Sequence, residues 1–153
     1  MSTGAKTTIS IASDHAGFGL KRILLRHLQD QNYEVIDLGT DGVDPVDYPD
    51  FAHKLAENIK CRRSDKGVLV CGSGIGISIA ANRHTEIRAA LIHDALGAKM
   101  SRQHNDANVI VFGGRMTGQD VAMDCLDTFL TTEFEGGRHA RRVDKINPEC
   151  TQN

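Results

Sequence analysis

The sequence lacks the features of an exported or membrane-bound protein. None of its apolar runs approaches the roughly 18 consecutive apolar residues of a membrane-spanning helix. Its first residues, MSTGAK, carry one positive charge and no apolar segment, unlike a secretory signal peptide. We therefore expect a chain that is neither exported nor anchored, has no membrane partner, and works in the cytoplasm.

The chain also lacks an excess of either charge. Its 18 basic and 20 acidic side chains leave a formal net charge of −2, with both signs spread along the sequence. Such a balance provides no broad electrostatic attraction for nucleic acid or anionic lipid. We expect no nucleic-acid partner, and a small molecule is the favoured ligand.

Paired cysteine spacings are absent as well. Cys61, Cys71, Cys125 and Cys150 form no C-x-x-C motif, and 153 residues can bury a core without disulfides. We expect free thiols in a reducing cytosol. Because repeats, low-complexity tracts and long linkers are also missing, we predict a single domain over residues 1–153. Its core runs from about 7 to 146, between a flexible N-terminus and a C-terminal tail.

What the sequence does contain is an alternation of short runs rich in valine and isoleucine with longer segments of helical period. Leu20, Leu24 and Leu28 recur on one face of the first helical segment, for example. A βαβ alternation requires right-handed crossovers and a parallel sheet with helices on both faces. We predict a three-layer α/β/α domain with a doubly wound, Rossmann-like sheet of five parallel strands. The predicted strands are 7–12, 33–38, 67–71, 88–92 and 108–113.

Each predicted strand ends in a loop that holds polar or glycine residues. In doubly wound sheets the ligand binds at the carboxyl ends of the strands, where the winding reverses. If the first and third strands are neighbours, Asp14 and His15 in SDHAG share that crevice with Cys71 in VCGSGIG. The alternative for Asp14 is a helix N-cap, and His15 has the alternative of an ordinary loop histidine.

The glycine loop at 70–76 matches neither common nucleotide motif. It lacks the G-K-[ST] ending of a Walker A loop, and Ile77 stands where the dinucleotide fingerprint requires glycine. The segment that follows, ISIAANR, indicates that the loop opens a helix, whose free N–H groups favour an anion and a thiolate at Cys71. The alternative is a packed cysteine before a tight turn.

Two further clusters of polar residues admit more than one interpretation. A metal site would have to combine His93, Asp94, His104 and Asp106, but no two of them have the spacing of ligands on one helical face. We therefore expect no metal and no cofactor. The segment RHARR spaces two arginines by four residues, which suits a phosphate clasp or an ordinary solvated basic face.

Six segments together resemble the ribose-5-phosphate isomerase B family, which includes galactose-6-phosphate isomerase subunits. They are SDHAGFGLK, DYPDFA, CGSGIGISIAANR, RAAL, SRQHNDANV and FEGGRHARRV, in order between about residues 8 and 146. The resemblance implies a metal-free homodimer, with a dimer of dimers left open. It implies interconversion of D-ribose 5-phosphate and D-ribulose 5-phosphate through a cis-enediolate, in the non-oxidative pentose phosphate pathway.

The same resemblance implies a role for each matching residue. The catalytic group comprises Cys71 as the base at carbon, Ser73 on the sugar oxygens, and His104 with Asp14 for ring opening. The binding group comprises the amides of Gly72, Gly74 and Gly76 for the enediolate, Tyr48 and Asn105 for hydroxyls, and His15, Arg115, Arg138 and Arg142 for the phosphate.

Two alternatives in function stay open from the sequence. Another phosphosugar, such as a hexose 6-phosphate, would suit the same motifs, because substrate length depends on the distance between thiol and arginines. A non-catalytic phosphosugar-binding module would also use the glycine loop, but it has no use for a thiol there. One branch of the family uses a glutamate as base at the position of Ile77, so this chain resembles the cysteine branch.

Overall fold

The computed structural model describes residues 6–148. The N-terminus predicted to be flexible, the end of the predicted tail and Cys150 lie outside the described residues. The strands are Thr8–Ser13 (β1), Glu34–Asp37 (β2), Lys66–Cys71 (β3), Ala89–Leu91 (β4) and Val109–Gly113 (β5). The helices are Phe18–Asp30 (α1), Tyr48–Lys60 (α2), Ile75–Ala81 (α3), Ala95–Asn105 (α4), Gln119–Thr131 (α5) and Arg138–Asp144 (α6).

The five strands form one parallel sheet in the order β2-β1-β3-β5-β4. This order confirms the predicted α/β/α fold and the predicted contact between β1 and β3. The chain winds outward from β1 in one direction and from β3 in the other, so the winding reverses between these two strands. The loops after β1 and β3 therefore lie at the position where doubly wound proteins bind ligands.

Two apolar cores cover the two faces of the sheet. One joins β-strand residues such as Ile11 and Phe112 to α1, α4 and α5, and the other joins Leu69 and Val111 to α2 and α3. Because both faces are covered, β3 and β5 read as continuous apolar runs rather than alternating ones. Among residues 6–148, no helix combines the length and apolar character needed to cross a bilayer.

Close backbone contacts hold the loops after β1, β3 and β5 against one another. A Cβ at Gly17 would lie 2.5 Å from the carbonyl oxygen of Val70, and a Cβ at Gly113 would lie 2.6 Å from that of Ser73. Both positions therefore require glycine. These contacts pack the three loops closely together at the carboxyl edge of the sheet.

A fully buried lysine fixes the beginning of the loop between β2 and α2. Lys21, on α1, is 1% exposed, and its Nζ donates to Asp37 Oδ1 at 2.6 Å and to the Thr40 carbonyl oxygen at 2.7 Å. A buried ammonium is tolerated only with such partners. Lys21 therefore links α1 to the chain segment that leads toward Tyr48.

Candidate active site

A cleft of about 720 Å³ opens at the carboxyl ends of β1 and β3. Eight of the residues predicted for the site line it, drawn from four separate loops. They are Asp14, His15, Tyr48, Cys71, Gly72, Ser73, Gly76 and Arg115. Ala16, Ile75 and Met116, which the sequence analysis did not single out, complete the lining.

Cys71 is the last residue of β3, and its side chain is 4% exposed. The backbone N–H of Gly74 donates to its Sγ at an N···S distance of 3.2 Å. Gly74 has a φ of 79°, a conformation that glycine adopts without strain, at the turn that leads into α3. The sulfur thus has a backbone hydrogen-bond donor beside it at the end of the strand.

Other N–H groups of the same loop are available to a ligand. Ser73 Oγ accepts the N–H of Ile75 at 3.2 Å, so that amide is occupied within the loop. Within the described chain nothing accepts the N–H groups of Gly72, Ser73 and Gly76. These three donors lie beside the thiol and suit an oxyanion that develops there.

Asp14 serves the loop and the cleft together. Its carboxylate is 5% exposed, and Oδ1 accepts the Gly17 N–H at 2.9 Å. Because α1 begins at Phe18 and has Gly17 as its N-cap residue, Asp14 stabilises the turn before the helix and is not the N-cap itself. Its second oxygen has no hydrogen-bond partner among the described residues and borders the cleft.

Arg115 is placed over the glycine loop by backbone pairing. The N–H of Gly114 donates to the carbonyl of Cys71 at 2.7 Å, and the N–H of Arg115 donates to that of Gly72 at 3.0 Å. A Cβ at Gly72 would lie 3.4 Å from Arg115 Nη1, so the guanidinium rests on this glycine. The loop after β5 therefore supplies a cation to the cleft.

Tyr48 closes one side of the cleft from the start of α2. A Cβ at Gly76 would lie 2.5 Å from the Tyr48 ring and 2.8 Å from its hydroxyl oxygen, so only glycine allows the phenol to lie on the loop. Across the cleft, His15 Nδ1 accepts the backbone N–H of Val46 at 3.2 Å. This bond could not be predicted from the sequence, because its donor is a backbone N–H, which every residue except proline carries.

Four predicted site residues lie elsewhere, around the end of α4 and on α6. The His104 ring stacks on that of His139 with centroids 4.4 Å apart and an interplanar angle of 11°. Glu135 Oε2 lies 3.5 Å from His139 Nε2. Burial lowers the pKa of His139, and the neighbouring charges of His104 and Arg138 lower it further. His139 is therefore held neutral beside His104.

Arg138 and Arg142 of RHARR are both exposed on α6, and no salt bridge to either occurs within residues 6–148. Asn105 lines a different cavity of about 570 Å³ beside β4, together with Arg88 and Ser101. Arg138, Arg142, His104 and Asn105 thus form a second group of predicted site residues, apart from the Cys71 cleft.

The two groups lie at opposite edges of the sheet. Cys71 ends β3 and pairs with Gly113 at the end of β5, whereas His104 precedes Val109, the first residue of β5. Because the strands are parallel, the four-residue rise from Val109 to Gly113 separates the two edges by roughly 13 Å. One chain therefore does not bring His104 to its own Cys71.

The metal site weighed from the sequence does not form. Asp94 is the N-cap of α4 and accepts the Gly97 N–H at 2.7 Å, whereas Asp106 is the C-cap and pairs with Arg88 and Arg102. The 11 residues of α4 separate these caps by about 16 Å. His104, Glu135 and His139 do place ligand atoms within 4.8 Å of one another, but the near-parallel rings direct their lone pairs along separate planes.

Comparison with known proteins identifies the family of the chain. A family model described as ribose/galactose isomerase matches residues 9–146. The chain belongs to this family. Residues 9–146 include both the Cys71 cleft and the His104 group, so the match covers every predicted site residue. Ile77, the position of the glutamate base in the other branch of the family, is fully buried in the apolar core.

Named relatives of the ribose/galactose isomerase family cover nearly the whole chain. A ribose-5-phosphate isomerase B of Escherichia coli is 44% identical over 138 residues, which is 90% of this chain and 93% of that protein. The structure of a ribose-5-phosphate isomerase B from Clostridium thermocellum is 52% identical, with a TM-score of 0.91 over 92% of this chain and 95% of that one. A ribose 5-phosphate isomerase from Thermotoga maritima has 47% identity and a TM-score of 0.90, over 91% and 96% of the two chains.

Proposed function

We propose that the chain interconverts D-ribose 5-phosphate and D-ribulose 5-phosphate by proton transfer through a cis-enediolate. The observation that carries this proposal is the buried Cys71 thiol, which receives the Gly74 N–H and lies beside three unoccupied backbone donors. A base next to donors aimed at a developing oxyanion is what removal of a proton from carbon beside a carbonyl requires.

The proposed steps need no co-reactant, because each proton that leaves the substrate returns to it. The Cys71 thiolate removes the proton from C2 of the open-chain aldose, and the carbonyl oxygen at C1 becomes an enediolate oxygen. The loop N–H groups stabilise that oxygen, and Ser73 Oγ relays the hydroxyl proton from O2 toward O1. The thiol then returns its proton to C1, which gives the ketose.

The remaining groups of the reaction come, in this proposal, from a second copy of the chain. A two-fold axis that brings the His104 group of one copy to the Cys71 cleft of the other does so twice, and thus completes two sites. His104, with the Asp14 carboxylate, then opens the sugar ring, while Asn105 holds a hydroxyl. Arg138 and Arg142 take the phosphate together with Arg115 and His15.

Apolar side chains around the edge strand β4 support such a homodimer. Ile75 and Ile79 are spaced by four residues on α3 and are more than half exposed, and Leu96 and Met100 repeat this spacing on α4. Met116, at 62% exposure, extends the apolar area to the rim of the cleft. Exposed apolar side chains next to a site are typical of a subunit interface.

The pentose phosphate is favoured over a hexose 6-phosphate because the named relatives are ribose-5-phosphate isomerases. A binding module without catalysis is disfavoured because a pure binder gains nothing from the donor on the Cys71 sulfur. We place the reaction in the cytosol, where unpaired thiols stay reduced.

A direct assay tests the proposed function. Purified protein is incubated with ribose 5-phosphate, and ribulose 5-phosphate is measured; a hexose 6-phosphate and free ribose are run in parallel. Turnover of ribose 5-phosphate with the highest kcat/KM is expected. A higher kcat/KM for the hexose phosphate would reassign the substrate, and binding of ribose 5-phosphate without turnover would contradict the enzyme function.

Subunit complementation tests the shared site. Cys71→Ala lacks the base and His104→Asn lacks enzymatic ring opening, so neither variant alone converts cyclic ribose 5-phosphate at the native rate, but a mixed dimer has one site with both native residues if the site is shared. After unfolding and refolding of an equal mixture, about a quarter of all sites are then native. A site within one chain would recover no activity, and neither variant refolded alone gains any.

A further inference from the structure

The hydrogen bond between His15 and Val46 connects the cleft to the loop between β2 and α2. This loop runs from Leu38 to Asp47 and ends at Tyr48, the first residue of α2. Its beginning is fixed by Lys21, which holds the Thr40 carbonyl. Over residues 41–46 of the described chain, the bond from the Val46 N–H to His15 Nδ1 is the single hydrogen bond to another segment.

This bond also determines where the His15 ring carries its proton. A backbone N–H can only donate, so Nδ1 must be an unprotonated acceptor. The neutral ring then carries its proton on Nε2, and within residues 6–148 that nitrogen has no hydrogen-bond partner. His15 lines the cleft beside Asp14, Tyr48, Cys71 and Arg115, so its Nε2–H is a donor available to a ligand.

We propose that His15 is a positioning residue for Tyr48 as well as a donor in the cleft: through Nδ1 it holds Val46, and thereby keeps the Tyr48 phenol against Gly76. The two nitrogens of one ring thus carry two separable tasks. Nδ1 sets the position of the loop, and Nε2–H meets the substrate. The second task rests on the proposed isomerase function, whereas the first does not.

The loop has little else to fix it at this point. Val46 packs partly buried against the core on the α2 and α3 face, whereas Val43 is 74% exposed and Tyr48 itself is 39% exposed, so apolar packing holds this segment mainly at Val46. On Gly76 the phenol lies over the loop whose amides face the thiol. Without the His15 bond, we expect residues 41–46 to move and Tyr48 to leave Gly76, since segments with few ties open at low free energy.

Two substitutions separate the tasks of the ring. In His15→Asn the side-chain oxygen lies near the position of Nδ1 and keeps an acceptor for Val46, but the donor at Nε2 is lost. In His15→Gln the side-chain nitrogen lies near the position of Nε2 and keeps the donor, but the acceptor is lost. The first variant keeps the loop in place, and the second releases it.

The first test needs no substrate. Nitrogen-15 NMR of the native protein is expected to show His15 protonated at Nε2 and unprotonated at Nδ1. The Val46 amide is expected to exchange with solvent about tenfold faster in His15→Gln than in the native protein, and at a near-native rate in His15→Asn. A proton on Nδ1, or equal exchange rates in the two variants, would overturn the positioning role whatever the activity.

The second test is a double-mutant cycle with Tyr48→Phe, read as kcat/KM for ribose 5-phosphate. Loss of the phenol hydroxyl is expected to cost about fivefold in the native protein and in the His15→Asn background, where Tyr48 is in place. It is expected to cost almost nothing in the His15→Gln background. An equal cost in both backgrounds would overturn the coupling, and absence of turnover in the native protein would overturn the proposed function alone.

Discussion

The backbone N–H of Gly74 points at the sulfur of Cys71, 3.2 Å away, from a residue with a φ of 79°. The residue that carries this donor is restricted to glycine, because a side chain at residue 74 would disfavour this φ. A Cβ there would also lie 2.5 Å from Leu91 and 2.9 Å from the backbone of Phe112. The environment of the thiol is thus set by the backbone rather than by a neighbouring side chain.

Replacement of Cys71 by alanine is expected to lower kcat by at least about a hundredfold, since a positioned base contributes roughly 10²–10⁴ in rate. The fold and sugar-phosphate binding should remain, as measured by thermal unfolding and calorimetric titration. Cys61→Ala is the matched control, because that thiol is exposed on α2's C-cap and should be dispensable. If Cys71→Ala retained a tenth of native activity, the assignment of the base would be wrong.

Alkylation should distinguish the thiols by rate. Burial and the nearby Asp124 raise the pKa of Cys125 to about 11, so it is a poorly reactive thiol at neutral pH. A hydrogen bond to Glu57 raises the pKa of Cys61. Iodoacetamide is therefore expected to inactivate the protein by modifying Cys71, and substrate should slow this loss. Mass spectrometry identifies the modified peptide, and full modification of Cys71 with retained activity would contradict its role.

His104→Asn is expected to make the forward reaction depend on spontaneous ring opening. Ribose 5-phosphate is mostly cyclic and ribulose 5-phosphate is open-chain, so only the aldose needs a ring-opening acid and base. With increasing concentrations of the variant, the aldose-to-ketose rate should reach a plateau while the reverse initial rate continues to rise. In the native protein both rates should stay proportional to enzyme. A plateau in neither direction would argue that His104 does not open the ring.

Arg142→Ala is expected to lower kcat/KM for ribose 5-phosphate by about 10- to 100-fold, because a charge-assisted hydrogen bond to the phosphate is lost. The kcat/KM for free ribose, which is already a poor substrate, should fall little further. Arg141→Ala is the control, as this neighbouring side chain is also exposed on α6. An equal penalty for free ribose would show that Arg142 supports the fold or the dimer instead.

Acid should weaken the packing of α6 on α4 through His139. Its pKa is lowered in the folded state, so below its ordinary value of about 6.5 the unfolded chain binds a proton that the folded chain does not. Stability therefore falls as the pH falls through this window. The free energy of unfolding, measured with urea, should differ less between pH 7.5 and pH 5.5 in His139→Phe than in the native protein. The phenyl ring of this variant can still stack on His104. His93→Phe, at an exposed position, should keep the native pH dependence.

The sequence predicted the fold well because each strand is a short apolar run bounded by glycine or polar residues. The neighbours β1 and β3 followed from the winding rule, and so did the meeting of Asp14 with Cys71. The winding rule also places His104, whose segment precedes β5, at the edge opposite Cys71. The resemblance implied roles for both residues, and no local pattern shows how residues at opposite edges meet. The His15 bond to Val46 was also missed, since it uses a backbone donor.

Cys71 and His104 lie at opposite edges of the sheet, and the proposed site takes one of them from each copy. This arrangement has a genetic consequence. A chain that carries both Cys71→Ala and His104→Asn impairs both sites of any dimer that it enters. Each site takes Cys71 from one copy and His104 from the other, so each lacks one of the two native residues. Expressed at the level of the native chain, it would leave about a quarter of the dimers intact. The variant would thus act as a dominant inhibitor of its own native copy, whereas either single substitution would leave one working site in each mixed dimer.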